Sequence, residues 1–261
     1  MFDYHMHSVV SFDGHDSGLA LARAAVDAGL REICFTDHQD FDPAQAPGAM
    51  AFTPERYSLE YDGLEVPGLK IRRGVEFGIT PDNCAQAKAN AAMRPFDFIL
   101  GSVHFVKGLD VYCAPYFEGK TQQEAEQLYL EEALRCVQIP RDYDVLAHLT
   151  YLSKSPAHPT NAPMAYGDNR EIVDEILKAL VANGKGLEMN TSGVDRGAGF
   201  LPGEAYFRRF RELGGEIVTV GSDAHRTNRV GQYCREACEI LKDIFGYVCT
   251  FENRTPIFHK L

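Results

Sequence analysis

Histidine placement is the first chemical signal in this 261-residue chain. His5-Met6-His7 opens it, and a strand's two-residue period would put both imidazoles on one side, where they can hold one ion. Asp223-Ala224-His225 repeats that spacing near the other end. Between them come Thr36-Asp37-His38, a lone Glu76, Ser102-Val103-His104, His148 and Glu188-Met189-Asn190, each at the end of a short apolar run. His15 follows the first run in a loop. Imidazole suits Zn, Mn or Fe, and carboxylates bridge paired cations. A lone strand-end histidine is ordinarily a hydrogen-bonded structural residue. So many together are too many ligands for one ion, and suit two or three with room for water.

Seven short apolar segments must position these residues: 2–7, 32–37, 69–79, 96–103, 143–148, 186–190 and 216–221. Their composition predicts strands covered on both faces. Helical patterns lie between them at 19–28, 54–61, 82–93, from the Thr121/Glu124 capping box to about 137, from an Asp168 cap to Gly184, at 203–213 and at 229–245. This alternation predicts parallel strands with right-handed crossovers. The expected fold is α/β, a (β/α)7 barrel one unit short of the usual eight, with residues 1–261 as one domain. In such a barrel the C-terminal ends of the strands carry the site, and every polar stretch named above falls there. The loops 40–68 and 152–167 are long enough to form its rim. His158 and His259 are expected to face solvent.

The 26 basic and 37 acidic residues give a net charge of −11, which argues against nucleic-acid or anionic-membrane partners. Seven cysteines without a CxxC, no signal-like start and no long apolar run point to a cytoplasmic protein. Gly119-Lys120-Thr121 lacks the upstream glycine of a phosphate-binding loop, and Gly197-Ala198-Gly199 lacks the third glycine of a dinucleotide fingerprint.

The order HxH, Gly-His, Thr-Asp-His, Glu, Ser-Val-His, His, Ser-Asp-Ala-His resembles the PHP (polymerase and histidinol phosphatase) superfamily over essentially the whole chain. The stretches 97–104 (DFILGSVH), 186–193 (GLEMNTSG) and 214–226 (GGEIVTVGSDAHR) are similar to stand-alone histidinol-phosphate phosphatases. The resemblance implies a distorted, TIM-like (β/α)7 barrel, a single metallohydrolase domain over residues 1–261, that holds three divalent ions, Zn, Mn or Fe. By position, His5, His7, Glu76 and Asp223 would hold the first, Glu76, His104 and His148 the second, and His15, His38 and His225 the third. Asp37 would orient a ligand or accept a strand-end hydrogen bond.

The implied reaction is hydrolysis of L-histidinol phosphate to L-histidinol and phosphate, a step of histidine biosynthesis. Cations neutralise the phosphate dianion and lower the pKa of water. Asp223 is the first candidate to take the proton from the attacking water, and His225 the second. Arg196 would hold phosphate charge, with Asn190 also placed toward substrate. The nearest alternative keeps the fold and changes the ester to a nucleotide or sugar phosphate. An amidohydrolase-like enzyme is more distant, because Glu76 stands where that family uses a modified lysine.

Overall fold

A computed structural model describes residues 1–41, 46, 48–160 and 162–261. The strands in chain order are β1 (Phe2–Asp3), β2 (Glu32–Phe35), β3 (His38–Gln39), β4 (Lys70–Gly78), β5 (Phe98–Ser102), β6 (Phe105–Val106), β7 (Leu109–Asp110), β8 (Val145–Leu146), β9 (Gly186–Asn190), β10 (Val218–Gly221), β11 (Tyr247–Glu252) and β12 (Thr255–Lys260). The helices are α1 (Gly18–Asp27), α2 (Pro54–Tyr61), α3 (Cys84–Ala91), α4 (Ala114–Phe117), α5 (Gln122–Gln138), α6 (Arg170–Ala182), α7 (Glu204–Glu212) and α8 (Cys234–Ile244). All seven expected strands are present, in the parallel order β1-β2-β4-β5-β8-β9-β10.

Closure comes from the segment after β1. Tyr4 donates its N–H to the Val220 carbonyl at 2.9 Å and His7 donates to Ala224 at 2.8 Å, so β10 returns to the first strand and the sheet forms a barrel. β3 is β2 resumed: Glu32 faces Lys70 and His38 faces Glu76 in one unbroken register. The interruption at Thr36-Asp37 is held by the Glu76 N–H, which reaches both carbonyls. His38 thereby lies directly beside Glu76 on the neighbouring strand.

The capping box forms as expected at the start of α5. Asp168 does not cap α6; it lies in a 3-10 turn at Tyr166–Asn169 that precedes the helix. The expected helix over 229–245 begins only at Cys234, after a 3-10 turn and Tyr233 in the left-handed region. The C-terminal hairpin β11–β12 was absent from the expected elements. It lies against the start of the barrel: Phe251 stacks near Phe98 at 4.7 Å, and Phe2 near His259 at 4.5 Å. His259 is therefore half-buried, and its Nε2 bonds Thr250 Oγ1 at 2.7 Å. His158, expected in solvent, is 4% exposed and faces Glu126 of α5 at 3.6 Å. In the 40–68 loop, residues 42–45 and 47 lie outside the described residues; Met50 from this loop and Lys154 from the 152–167 loop reach the cavity wall. Among the described residues no helix is long and apolar enough to cross a membrane.

Candidate metal centre

Glu76 on β4 is the hub, with 0% exposure. Its Oε2 lies 3.1 Å from His5 Nε2, 3.3 Å from His7 Nε2 and 3.2 Å from His38 Nδ1. Its Oε1 lies 2.8 Å from His148 Nε2 and 3.2 Å from His104 Nε2, and accepts the Ser102 hydroxyl at 2.5 Å. One carboxylate thus faces two groups of imidazoles through separate oxygens. Burial opposes its ionisation, but His5, His38 and His104 hold it well below the usual carboxylate range.

Asp223 closes the group around His5 and His7. Its Oδ1 lies 3.4 Å from His7 Nε2 and 3.7 Å from His5 Nε2. Asp223 sits at φ 55°, a left-handed conformation that aspartate tolerates better than most residues. Its N–H donates to the His5 carbonyl at 2.8 Å, which fixes the turn. Gly221 permits that closeness, since a Cβ there would lie 2.3 Å from His5 Cβ and 2.4 Å from Glu188 Oε1. The other Asp223 oxygen accepts from Lys154 Nζ and, at 3.1 Å, from Ser192 Oγ. Against the burial penalty, Lys154 and His5 keep Asp223 ionised well below its ordinary range.

Ligand atoms gather in four overlapping sets, each within 4.8 Å: His5/His7/Asp223, His5/Glu76/His148, His38/Asp40/His104 and His7/Asp13/His38/His225. The donor chemistry fits divalent transition metals. His5 Nε2, His7 Nε2 and Glu76 Oε2 are buried without a hydrogen-bond partner, and buried polar atoms left so are costly unless something binds them. Burial and the imidazoles of His225 and His38 push His7 down to about 3, the neutral form that ligates. Burial also opposes charge on His104, yet Asp40 and Glu76 raise it to about 10. A metal ion bound there would displace a proton.

Of the expected ligands, His5, His7, His38, Glu76, His104, His148, Asp223 and His225 converge. His15 stands apart. Its N–H donates to the His225 carbonyl at 3.1 Å while its side chain lies exposed on the cavity wall, and Asp13 takes the place beside His38 and His225. Asn190 is wholly buried, not open to substrate. Its amide reaches Glu188 Oε2 at 3.2 Å and its Oδ1 accepts the Ser192 N–H at 2.9 Å. Asp37 accepts the N–H groups of Ser8 and Ser11 at 2.8 and 3.2 Å, so it shapes the loop after His7 as a strand-end acceptor.

Four further residues take part: Asp13, Asp40, Lys154 and Glu188. Glu188 Oε1 accepts the His5 Nδ1–H at 2.6 Å and its Oε2 accepts the His148 N–H at 2.9 Å, which turns His5 Nε2 toward Glu76. Asp40 binds His104 Nδ1 at 3.0 Å in the same manner. The sequence carries a signal for two of them: Asp40 follows His38 by two and Glu188 precedes Asn190 by two, the period that shares a strand face. Asp13 and Lys154 come from loops and carry no such pattern.

Above the cluster lies a cavity of about 610 Å³, whose wall includes Arg196, Arg226 and Arg229, a size suited to a small molecule. The Arg196 guanidinium lies over the Tyr112 ring, 5.5 Å from its centroid, and donates to the Tyr112 hydroxyl. Arg229 is paired with Asp195.

The PHP domain model matches residues 3–192. A histidinol-phosphatase of Lactococcus lactis subsp. lactis is 34% identical over 259 residues, spanning 96% of this chain and 94% of the relative. The crystal structure of histidinol phosphate phosphatase from that organism, complexed with zinc, L-histidinol and phosphate, superposes with a TM-score of 0.88 at 31% identity, covering 98% of both chains. A Listeria monocytogenes structure shares the fold at TM-score 0.73 and 17% identity, over 90% of this chain and 99% of that one.

Proposed function

The chain belongs to the PHP domain family, and from that premise we propose that it is a metal-dependent phosphomonoesterase that hydrolyses L-histidinol phosphate to L-histidinol and phosphate. The observation that carries this reading is the two-sided Glu76, with His5 and His7 on one oxygen and His104 and His148 on the other. We assign three divalent transition-metal ions by position: one to His5, His7, Glu76 and Asp223, a second to Glu76, His104 and His148, and a third to His38 and His225 with Asp13 or His15. Zinc, the ion in the Lactococcus structure, is the first choice, with Mn and Fe as the others this donor set accepts. When bound, such ions neutralise phosphate charge and lower the pKa of water.

The protein's own groups then have distinct tasks. Asp223 Oδ1, beside His5 and His7, takes the proton from the attacking water, while Lys154 and Ser192 hold Oδ2 and fix the carboxylate plane. His225 is the second candidate for that proton: its Nδ1 is engaged by the Asp223 carbonyl at 2.9 Å and its Nε2 lies beside Asp13 at the cavity, so it could take the proton only in exchange for its place as a ligand of the third ion. Arg196, oriented by Tyr112, binds phosphate oxygens. Glu188 and Asn190 position His5 and Asp223 without touching substrate. Residues 1–261 act as one unit in this reading, and the enzyme is cytoplasmic.

The test is phosphate release from a panel of phosphomonoesters by the metal-reconstituted protein. We expect kcat/KM for L-histidinol phosphate to exceed that for nucleotide and sugar monophosphates. A nucleotide preferred by about 100-fold, a difference of about 3 kcal/mol in transition-state binding, would assign the site to the alternative ester class.

A further inference from the structure

We propose that Asp110 is the specificity residue that receives the substrate's ammonium group. The inference rests on the phosphatase reading above and names what that reading leaves open, the recognition of the part of the ester that does not react. L-Histidinol carries an amine on the carbon next to the one that bears the oxygen. The phosphate ester is therefore an anion with a cation close beside it, and its receptor needs a carboxylate near the phosphate-binding arginine.

Six carboxylates line the cavity: Asp13, Asp40, Glu76, Asp110, Asp195 and Asp223. Five already face cationic or imidazole partners. Asp13 faces His38 and His225, and Asp40 faces His38 and His104. Glu76 sits among the histidines, Asp223 takes Lys154, and Asp195 is bound by Arg229. Asp110 differs. Its Oδ1 accepts the Tyr112 N–H at 2.8 Å and its Oδ2 lies 3.4 Å from Cys113 Sγ. Among the described residues, no Lys, Arg or His forms an ion pair with it.

The local geometry places this charge where the ester needs it. Asp110 ends the β6–β7 hairpin that follows β5, and the next residue, Val111, donates its N–H to the His104 carbonyl at 3.0 Å. One residue further, the Tyr112 hydroxyl holds Arg196. A single three-residue strap thus links a cluster histidine, the proposed phosphate arginine and an unneutralised carboxylate. The ammonium is the better match for it than the imidazole, because at neutral pH the imidazole is largely uncharged whereas the amine carries a full charge.

The experiment compares L-histidinol phosphate with its deamino analogue, 3-(imidazol-4-yl)propyl phosphate, in the wild-type, Asp110→Asn and Asp110→Glu proteins. Asn keeps an oxygen for the Tyr112 N–H and removes only the charge. We expect Asp110→Asn to lower kcat/KM for L-histidinol phosphate about 10- to 100-fold, the range for a hydrogen bond to a charged group. The deamino ester should change by less than twofold, and Asp110→Glu should restore much of the discrimination. Equal losses on both esters, or no loss on either, would overturn the assignment. Failure of the wild-type protein to hydrolyse either ester would overturn the phosphatase reading itself, a result distinct from hydrolysis without discrimination.

Discussion

Glu76→Gln should lower kcat by about 10³-fold or more, with loss of bound metal. Metal ions supply several kcal/mol of transition-state charge stabilisation, and about 4 kcal/mol corresponds to that factor. The carboxylate is buried among five imidazoles and serves two groups of them through separate oxygens. A neutral amide removes the negative charge between neighbouring cations, so their repulsion rises and both positions empty. The amide also turns an N–H2 group toward imidazoles that need an acceptor, leaving buried polar atoms unpaired. His15→Asn is the contrasting variant. His15 lies exposed on the cavity wall outside the buried sets, so its loss should leave the ions of the Glu76 cluster in place and mainly weaken substrate binding. Elemental analysis with steady-state kinetics reads both variants. Full metal content and near-normal turnover in Glu76→Gln would refute the bridging role.

Asp223→Asn is expected to lower kcat by about 10²- to 10⁴-fold, the usual contribution of a positioned proton acceptor, with a smaller change in KM. The substitution keeps the size of the side chain and an oxygen for Lys154, so the left-handed turn at φ 55° survives. What disappears is the charge facing His5 and His7 and the base for the attacking water. It also leaves the Lys154 ammonium, 9% exposed, without its carboxylate partner, so thermal stability should fall as well. Turnover within threefold of wild type would move the proton-acceptor role elsewhere, first to His225.

Strand order, barrel class and the convergence of eight of the nine expected ligand residues were legible in the sequence because all three rest on short periods. Alternation of two residues carries His5/His7 and Asp223/His225 to one rim, and strand–helix alternation dictates parallel neighbours. Where two residues come from separate loops, spacing carries no information. That Asp13 lies beside His38 and His225 depends on how the 8–16 loop folds over Asp37, and Lys154 reaches Asp223 from a turn 69 residues earlier in the chain. Asn190 reads as a polar residue at the mouth of the barrel, and only the paired carboxylates of Glu188 and Asp223 show that it points into the core. The C-terminal hairpin carries a local signal: β-rich runs flank Asn253-Arg254, both at positive φ, the pattern of a two-residue hairpin turn.

The most direct measurement of the central claim is phosphate release from L-histidinol phosphate by one preparation in three states: as purified, stripped with a strong chelator, and restored with stoichiometric zinc. Stripping is expected to abolish turnover, two to three equivalents of zinc to restore it, and the Glu76→Gln protein to stay inactive. Undiminished turnover in the stripped protein, with no metal detected, would contradict it.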